Sequence, residues 1–337
     1  MSVFIDAFEE CYQQFPILLA DIGASGGIPV EWEQASRFLQ VIAFEPDKQA
    51  FANLLESEKQ LSSIKYLNAA LYEEQKTVGF YLTEQQTNSS MFRPNRAFLD
   101  RFPNPDRFEI LNTVQLEVST LDNQLSERKI TDLDFIKLDT QGSELAILKG
   151  AAESLSGSVF GLAVEVEFVP IYQEQPLFSD VDSFIRGFGF QLFDLAPCYW
   201  KRIVGRLGKG YIPSKGQIIF ADAVYFRKAE HFLESLDGSG NLAWKRAKAL
   251  KAVSISALYG HLDYAIEIGE YARQVRLLSD HEFDLLRKHF EDTGSFLHEI
   301  PNFRGRGRIA NLFYSIYKVL RPSYHRHWYK YNKLEEW

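Results

Sequence analysis

Residues 17–47 read ILLADIGASGGIPVEWEQASRFLQVIAFEPD, and this stretch decides the fold. An apolar run ends at Asp21, a glycine-containing loop follows, and Pro29 can open a helix. A second apolar run, residues 41–44, ends at Glu45. Strand, glycine-rich turn, helix, strand and acidic residue form the first half of a nucleotide-binding α/β sheet. The pattern predicts an α/β fold with a Rossmann-like core.

The strand ends predict where a ligand binds and which ligand it is. Open α/β sheets bind ligands outside the carboxyl ends of their strands, where Asp21, Gly23 and Glu45 fall. Glu45 can accept hydrogen bonds from both hydroxyls of a ribose. The loop reads D-x-G-x-x-G, and the carboxylate of Asp21 would repel the pyrophosphate of a dinucleotide. S-adenosylmethionine has cationic groups and no phosphate, so the loop favours it over NAD. The alternative is that the glycines only form a tight turn.

Length and composition predict a soluble, cytoplasmic protein. The 337 residues allow one large α/β domain and an appendage. Cys11 and Cys198 give neither a disulfide framework nor metal-ligand spacing. The first residues lack the basic leader of a signal peptide, and no run of 18 apolar residues occurs.

Strand-like runs alternate with helical stretches as far as residue 227, and the pattern then changes to helix. We therefore predict a Rossmann-like domain over residues 1–228 and a helical region with a basic aromatic tail over residues 229–337. The strand at 216–226 is predicted to close the sheet. The segments 83–110 and 197–215 are long loops that can shape the pocket of the substrate. The predicted strands after the first two are 64–69, 77–82, 113–118, 133–139, 158–166, 190–195 and 216–226.

Several short motifs together resemble the FkbM-type methyltransferases, S-adenosylmethionine-dependent enzymes with a Rossmann-like core. The resemblance covers roughly residues 17–226, and with it we expect a central, mostly parallel, seven-stranded sheet. It implies methyl transfer to a hydroxyl oxygen of a sugar, glycan or natural-product acceptor. One departure is Gln141, at a position where family members commonly have an acidic residue. The motifs are DIGASGG (21–27), FEPD (44–47), Asn53, NAAL (68–71), Thr120-Leu121-Asp122, DFIKLDTQGSE (134–144) and LKGA (148–151).

The resemblance also assigns roles to the residues at the predicted strand ends. Asp21 and Gly23 would contact the methionine part of the cofactor and Glu45 its ribose. Asn68 and Ala69 would lie near the adenine. Asp139 would lie near both the transferring methyl group and the acceptor. The full set of implied cofactor-binding residues is Asp21, Gly23, Ala24, Ser25, Glu45, Pro46, Asn68, Ala69 and Asp139.

The acceptor hydroxyl must lose a proton, and the predicted catalytic domain has no histidine to receive it, because all seven lie after residue 228. The catalytic candidates are Lys137, Asp139 and Glu165. Lys137 and Asp139 share a strand face, so they form either a catalytic pair or a structural ion pair.

Asp139 and Glu165 fall at the ends of predicted neighbouring strands, and Glu167 shares the face of Glu165. Their oxygens would suit Mg²⁺, which would lower the pKa of the acceptor hydroxyl. The alternative is that Glu165 binds substrate hydroxyls or caps a helix.

The net charge of −8 is unevenly distributed. Residues 301–337 contain eight Lys/Arg and two Glu, so the remainder carries −14. An acidic body argues against nucleic acid as a partner. Residues 310–320 can form an amphipathic helix, which suits peripheral binding at the inner face of a membrane, an anionic lipid-linked glycan or a partner protein. The alternative is a helix docked on the domain.

The sequence thus favours an S-adenosylmethionine-dependent O-methyltransferase, and two other functions stay open. Asp21, in place of the first glycine, and the lack of a Tyr-x-x-x-Lys motif oppose an NAD-type oxidoreductase. A non-catalytic adaptor has Gln141 in its favour, while the intact DIGASGG and FEPD motifs oppose it.

Overall fold

The computed structural model describes residues 4–23, 28–57, 63–207, 210–211, 216–236, 240–298 and 304–320. The strands are β1 (Ile17–Ile22), β2 (Leu39–Phe44), β3 (Ile64–Leu67), β4 (Ala70–Leu71), β5 (Lys76–Thr83), β6 (Ile110–Ser119), β7 (Phe135–Leu138), β8 (Gly161–Glu167), β9 (Phe190–Trp200), β10 (Arg206–Leu207), β11 (Gly210–Tyr211) and β12 (Gln217–Arg227).

The helices are α1 (Glu9–Gln14), α2 (Lys48–Ser57), α3 (Arg96–Leu99), α4 (Leu121–Glu127), α5 (Glu144–Lys149), α6 (Ala152–Ser156), α7 (Phe178–Arg186), α8 (Ala229–Ser235), α9 (Leu242–Leu258), α10 (Leu262–Gln274), α11 (Asp280–His298) and α12 (Arg306–Leu320). Five further segments are 3₁₀ helices: Asp6–Phe8, Val30–Phe38, Gln86–Asn88, Pro105–Phe108 and Ile203–Gly205. The helix predicted after Pro29 is thus of the 3₁₀ type.

A seven-stranded sheet forms the centre in the order β3-β2-β1-β7-β8-β12-β9. The pairs from β3 to β8 are parallel, and β12 runs antiparallel to both of its neighbours. The predicted fold class is therefore confirmed. Strands β4, β5 and β6 form a separate three-stranded sheet.

The prediction that residues 216–226 close the sheet is wrong. Strand β12 lies between β8 and β9, and β9 forms the edge. Strands β9 and β12 are neighbours in the central sheet. They pair antiparallel, from Gln217 opposite Trp200 to Arg227 opposite Phe190. The other side of β12 pairs with β8, so the last strand of the chain becomes an interior one.

Helices cover both faces of the central sheet, which explains the nearly continuous apolar character of its parallel strands. One face packs against α4, α5, α6 and α7, through residues such as Leu125, Leu148 and Ile185. The opposite face packs against helices before β1 and after β12. Its core joins Phe135 and Phe226 of the sheet to apolar residues of α8, α9, α10 and α11. The residues on the two sides of position 228 therefore share one core.

A buried ion-pair network also holds α9 against the sheet. Lys248 Nζ lies 2.5 Å from Asp134 Oδ1 and 2.7 Å from Asp132 Oδ1. Lys251 Nζ lies 2.9 Å from Asp134 Oδ2, which also accepts a hydrogen bond from the backbone N–H of Leu18. Burial would raise the pKa of Asp134, but the two lysines outweigh it and lower that pKa.

Within the described residues, no helix combines the length and apolar character needed to cross a bilayer. Neither Cys11 nor Cys198 forms a disulfide bond, and Cys198 is buried.

Candidate active site

A cavity of about 940 Å³ lies at the carboxyl ends of β1, β2, β7 and β8. Asp21, Asn68 and Glu167 do not line the cavity. Ala24 and Ser25 lie outside the described residues. The predicted site residues that line the cavity are Gly23, Glu45, Pro46, Ala69, Lys137, Asp139 and Glu165.

Gly23 allows the ends of β1 and β7 to approach each other. Its φ is +83°, and a Cβ atom there would lie 2.0 Å from the backbone oxygen of Asp139. The Asp139 N–H donates to the Ile22 carbonyl at 3.1 Å, which fixes this approach. A side chain at position 23 would therefore displace Asp139. Position 23 thus requires glycine for packing, in addition to the predicted contact with the cofactor.

Asp21 forms a salt bridge with Lys137. The Asp21 side chain is buried, and its Oδ1 lies 3.0 Å from Lys137 Nζ. Burial raises the pKa of Asp21, while Lys137 opposes that rise. Burial alone would lower the pKa of Lys137, but Asp21 and Asp139 outweigh it and raise that pKa. The salt bridge of Lys137 is thus with Asp21 rather than Asp139, and its cation faces the cavity beside Asp139.

Glu45 lines the cavity directly after β2. One of its carboxylate oxygens accepts a hydrogen bond from the Asp47 N–H at 2.7 Å, and burial raises the pKa of Glu45 to about 7. Asn68 Nδ2 donates to the backbone oxygens of Glu45 at 2.9 Å and Pro46 at 3.1 Å. Asn68 therefore holds the backbone after β2 in place.

Gln141 joins the two strand-end carboxyls. Its Nε2 donates to Asp139 Oδ1 at 3.0 Å and to Glu165 Oε1 at 2.9 Å. The backbone of Gln141 is left-handed, with φ +58°, and its carbonyl accepts a hydrogen bond from Ser90 Oγ at 2.7 Å. The Tyr172 hydroxyl lies 3.1 Å from Gln141 Oε1. Burial, followed by the neighbouring carboxylates, raises the pKa of Glu165 well above its usual range.

Glu144 organises the turn that carries Gln141. Its carboxylate accepts hydrogen bonds from Thr140 N at 2.8 Å, Thr140 Oγ1 at 3.0 Å and Gly142 N at 2.9 Å. Burial raises the pKa of Glu144 to about 7. We did not predict this role, although an acid just after a strand-end turn is a signal for it.

The structure does not support the predicted Mg²⁺ ligand set. Across the described part of the chain, no three or more His, Cys, Asp or Glu side chains are arranged to hold a metal ion. The Gln141 amide bridges Asp139 and Glu165, so a hydrogen-bond donor links the carboxyls expected to face a cation. Glu167 is buried away from the cavity, and burial raises its pKa well above its usual range.

The segment 83–110 forms one wall of the cavity, as predicted, and the 197–215 segment contributes Cys198 and Trp200. The Arg107 guanidinium lies 4.8 Å from the Trp200 ring centroid and 5.0 Å from that of Phe108. The lining residues of the first segment are Gln85, Gln86, Thr87, Asn88, Ser89, Met91, Pro103, Asn104, Arg107 and Phe108.

The lining residues that were not predicted include Asp222, Glu31 and Tyr259. Asp222 of β12 stands opposite Glu165 in the sheet register. It is a single acid within an apolar strand, so the sequence alone could have indicated it as a candidate site residue. Glu31 comes from the 3₁₀ helix after Pro29, and Tyr259 comes from the end of α9. Nothing in the local sequence of either residue indicates the cavity, because they reach it through helix packing.

Residues 21–192, just over half of the chain, match the family model described as the Methyltransferase FkbM domain. The chain belongs to the FkbM methyltransferase family. It is 26% identical over 199 residues to the 2-O-methyltransferase NoeI of Sinorhizobium fredii, covering 51% of this chain and 76% of that protein. This FkbM chain is thus an S-adenosylmethionine-dependent methyltransferase, which removes the oxidoreductase alternative.

Solved structures similar to this FkbM chain include an FkbM methyltransferase from Methylobacillus flagellatus, with 18% identity and a TM-score of 0.33. The match covers 63% of this chain and 43% of that one, so this chain spans less than half of its length. Another is the N-terminal domain of EvdMO1 with SAH bound, with 9% identity, a TM-score of 0.31 and coverage of 66% and 78%.

The charges around the cavity fit the cofactor of this FkbM chain. S-adenosylmethionine carries an ammonium, a sulfonium and one carboxylate, and is cationic overall. In the described residues, the carboxyl groups that line the cavity outnumber the cations Arg107 and Lys137. These carboxyl groups belong to Glu31, Glu45, Asp47, Asp139, Glu165 and Asp222.

Proposed function

We propose that this FkbM chain methylates a hydroxyl oxygen of a glycan or of a similarly hydroxylated small molecule. The observation that carries the proposal is the pair of carboxyls, Asp139 and Glu165, joined by Gln141 on the cavity wall. The similarity to a 2-O-methyltransferase supports oxygen as the acceptor atom.

The cofactor half of the cavity lies along β1 and β2. Glu45 would accept hydrogen bonds from the ribose hydroxyls, and Pro46 and Ala69 would border the adenine. Gly23 gives the methionine part access to the backbone. Lys137, oriented by Asp21, presents the cation that suits the methionine carboxylate.

S-adenosylmethionine supplies a methyl group made electrophilic by its sulfonium. The acceptor oxygen forms its bond to that methyl as the carbon–sulfur bond breaks, and the hydroxyl proton passes to a carboxylate. The carboxylate of Asp139 or of Glu165 would receive it, since both residues line the cavity. Gln141 holds both in position, and much of the rate enhancement in such a displacement comes from positioning.

The acceptor half of the cavity combines aromatic and polar groups. The rings of Phe108 and Trp200 offer apolar faces, and residues 85–89 and Asp222 offer hydrogen-bonding groups. A sugar ring has an apolar face and hydroxyl edges, so this lining suits it. Apolar walls with a few placed polar groups are typical of small-molecule sites.

Two measurements test the proposal. Calorimetric titration with S-adenosylmethionine and S-adenosylhomocysteine measures cofactor binding, and labelled-methyl transfer to a panel of free and hydroxyl-blocked oligosaccharides measures the reaction. We expect transfer to free hydroxyls only, undiminished in excess chelator and strongly reduced in Asp139→Asn. Cofactor binding without transfer to any acceptor in a broad panel would favour the adaptor alternative.

A further inference from the structure

Helix α12 presents an exposed apolar stripe. Ile309, Leu312, Phe313 and Ile316 stand at positions i, i+3, i+4 and i+7, so they lie on one face of the helix. Their exposed fractions are 48%, 59%, 66% and 46%. The apolar faces of α9 and α10, in contrast, are buried in the shared core. A contiguous apolar surface of this kind marks an interaction site.

The same segment is strongly basic. Residues 304–320 contain four Lys/Arg and no Asp or Glu, whereas the chain as a whole carries −8. Arg304, just before α12, and Arg308 and Asn311 within it are exposed, and the helical period places Arg308 and Asn311 to the side of the apolar stripe or opposite it. A basic polar face beside an apolar face is typical of helices that lie in a membrane interface.

We propose that α12 binds the surface of a membrane that contains anionic lipids. The apolar stripe would enter the boundary between headgroups and acyl chains, and the arginines would contact lipid phosphates. Fifteen residues span about 22 Å, less than the roughly 30 Å of a bilayer core, so the helix would lie in the plane of the interface.

An anionic membrane fits both faces of α12 better than other occupants do. The exposure of the stripe contradicts the alternative of a helix docked on the domain for the described part of α12. Nucleic acid would satisfy the arginines and leave the stripe in water. A second copy would cover the stripe but bring two basic helices together. The proposal depends on α12 alone and is independent of the active-site chemistry.

The test is sedimentation of the full chain with vesicles of phosphatidylcholine, with and without phosphatidylglycerol. We expect binding to the anionic vesicles that weakens at high salt and falls about tenfold or more on pure phosphatidylcholine. Phe313→Ser with Ile316→Ser should lower binding at least about tenfold, because buried apolar area is lost. Arg304→Gln with Arg308→Gln should lower it on anionic vesicles only. Asn311→Ser is the matched control on the polar face and should bind as the wild type does.

All of these side chains are exposed, so circular dichroism and the unfolding temperature should match the wild type for every variant. Equal binding to both kinds of vesicle, binding to neither, or unchanged binding of the Phe313 and Ile316 variant would overturn the proposal. A concentration-dependent dimer that this variant abolishes, without vesicle binding, would show a second copy as the occupant.

Discussion

At the scale of a single residue, the close approach of Gly23 to the Asp139 carbonyl can be tested by substitution, because a second glycine provides a control. Gly23→Ala places a methyl group against the Asp139 carbonyl, whereas Gly189 has a similar φ of +82° and nothing within 4 Å of a built Cβ. Gly189→Ala should show only the cost of a left-handed backbone, about 1 kcal/mol. We expect Gly23→Ala to lower the free energy of unfolding by clearly more and to abolish cofactor binding, measured by urea unfolding and calorimetry. If Gly23→Ala and Gly189→Ala had equal effects, the clash of the added methyl group with the Asp139 carbonyl would be relieved by movement of the surrounding structure.

Glu45 predicts a pH dependence of cofactor binding. The pKa of Glu45 in the free protein is about 7, and the carboxylate accepts hydrogen bonds from ribose hydroxyls better than the acid does. Binding should therefore lower that pKa, so affinity rises as pH increases through 7. We expect a gain of severalfold, up to about tenfold, between about pH 6 and about pH 8 by calorimetry.

Glu45→Gln is the control for this dependence, because it is nearly isosteric and does not titrate. The amino group of the cofactor itself titrates in the same range, and that contribution is common to both proteins. The difference between the two pH profiles therefore isolates Glu45. Parallel profiles would assign the pH dependence to the cofactor.

Gln141 can be removed without adding backbone strain, since glycine accepts its φ of +58°. Gln141→Gly leaves Asp139 and Glu165 without their shared donor. Losing a partner of a buried polar group costs on the order of 1–3 kcal/mol, so kcat should fall about tenfold or more. Cofactor affinity should change little, because Glu45 and Pro46 are unaffected. An unchanged pH–rate profile would contradict a positioning role for Gln141.

The location of a residue could be predicted where the residue follows directly from the end of a strand, while the roles of these residues stay predictions. Gly23, Glu45 and Asp139 stand at the carboxyl ends of parallel strands, and the apolar runs before them mark those ends in the sequence. The Gln141 bridge could not be predicted, because it depends on a left-handed backbone and on the approach of a carboxyl 24 residues away.

At the scale of elements, the attachment of α9 depends on Asp134. Asp134→Ala leaves Lys248 and Lys251 buried with only the partly exposed Asp132 as an acidic partner. An unpaired buried charge costs roughly 3–5 kcal/mol, and we expect a loss of that size in urea unfolding. Arg37→Ala is the control: Arg37 is 69% exposed and pairs with Glu9, so its removal should cost less than about 1 kcal/mol.

Because the pKa of Asp134 is lowered, the contribution of the ion-pair network to stability depends on pH. Its contribution to stability is complete above the unfolded pKa of about 4 and is lost as pH falls through the folded pKa. The unfolding temperature of the wild type should therefore drop below about pH 4. Asp134→Ala should show a smaller drop there, and equal slopes would place the acid sensitivity elsewhere.

The type of most elements was predicted well, but the order of the strands in the sheet was predicted less well. Apolar runs located the strands, but no local pattern distinguishes an edge strand from an interior one, so β12 was misplaced. The 83–110 segment has little periodicity and was predicted as a loop, yet it contains α3 and two 3₁₀ helices, and the segment lines one wall of the cavity.

At the scale of the whole molecule, the alternation of strands and helices was enough to predict the fold class. The division at residue 228 stays a prediction, since the core and the ion pairs of α9 extend across it. Tyr259, from beyond that division, even lines the cavity. Packing between distant segments of this kind depends on the folded arrangement and leaves no local pattern in either segment.

Because β12 is an interior strand, it restricts the order in which the central sheet can form while the chain is synthesised from its amino end. Strand β9 is made first, but it joins the central sheet through β12, so it must wait for residues 217–227. Asp134 must wait longer still, until Lys248 and Lys251 are made. We therefore expect a nascent chain halted near residue 228 to be sensitive to protease, and protection to arrive only once α9 has been released.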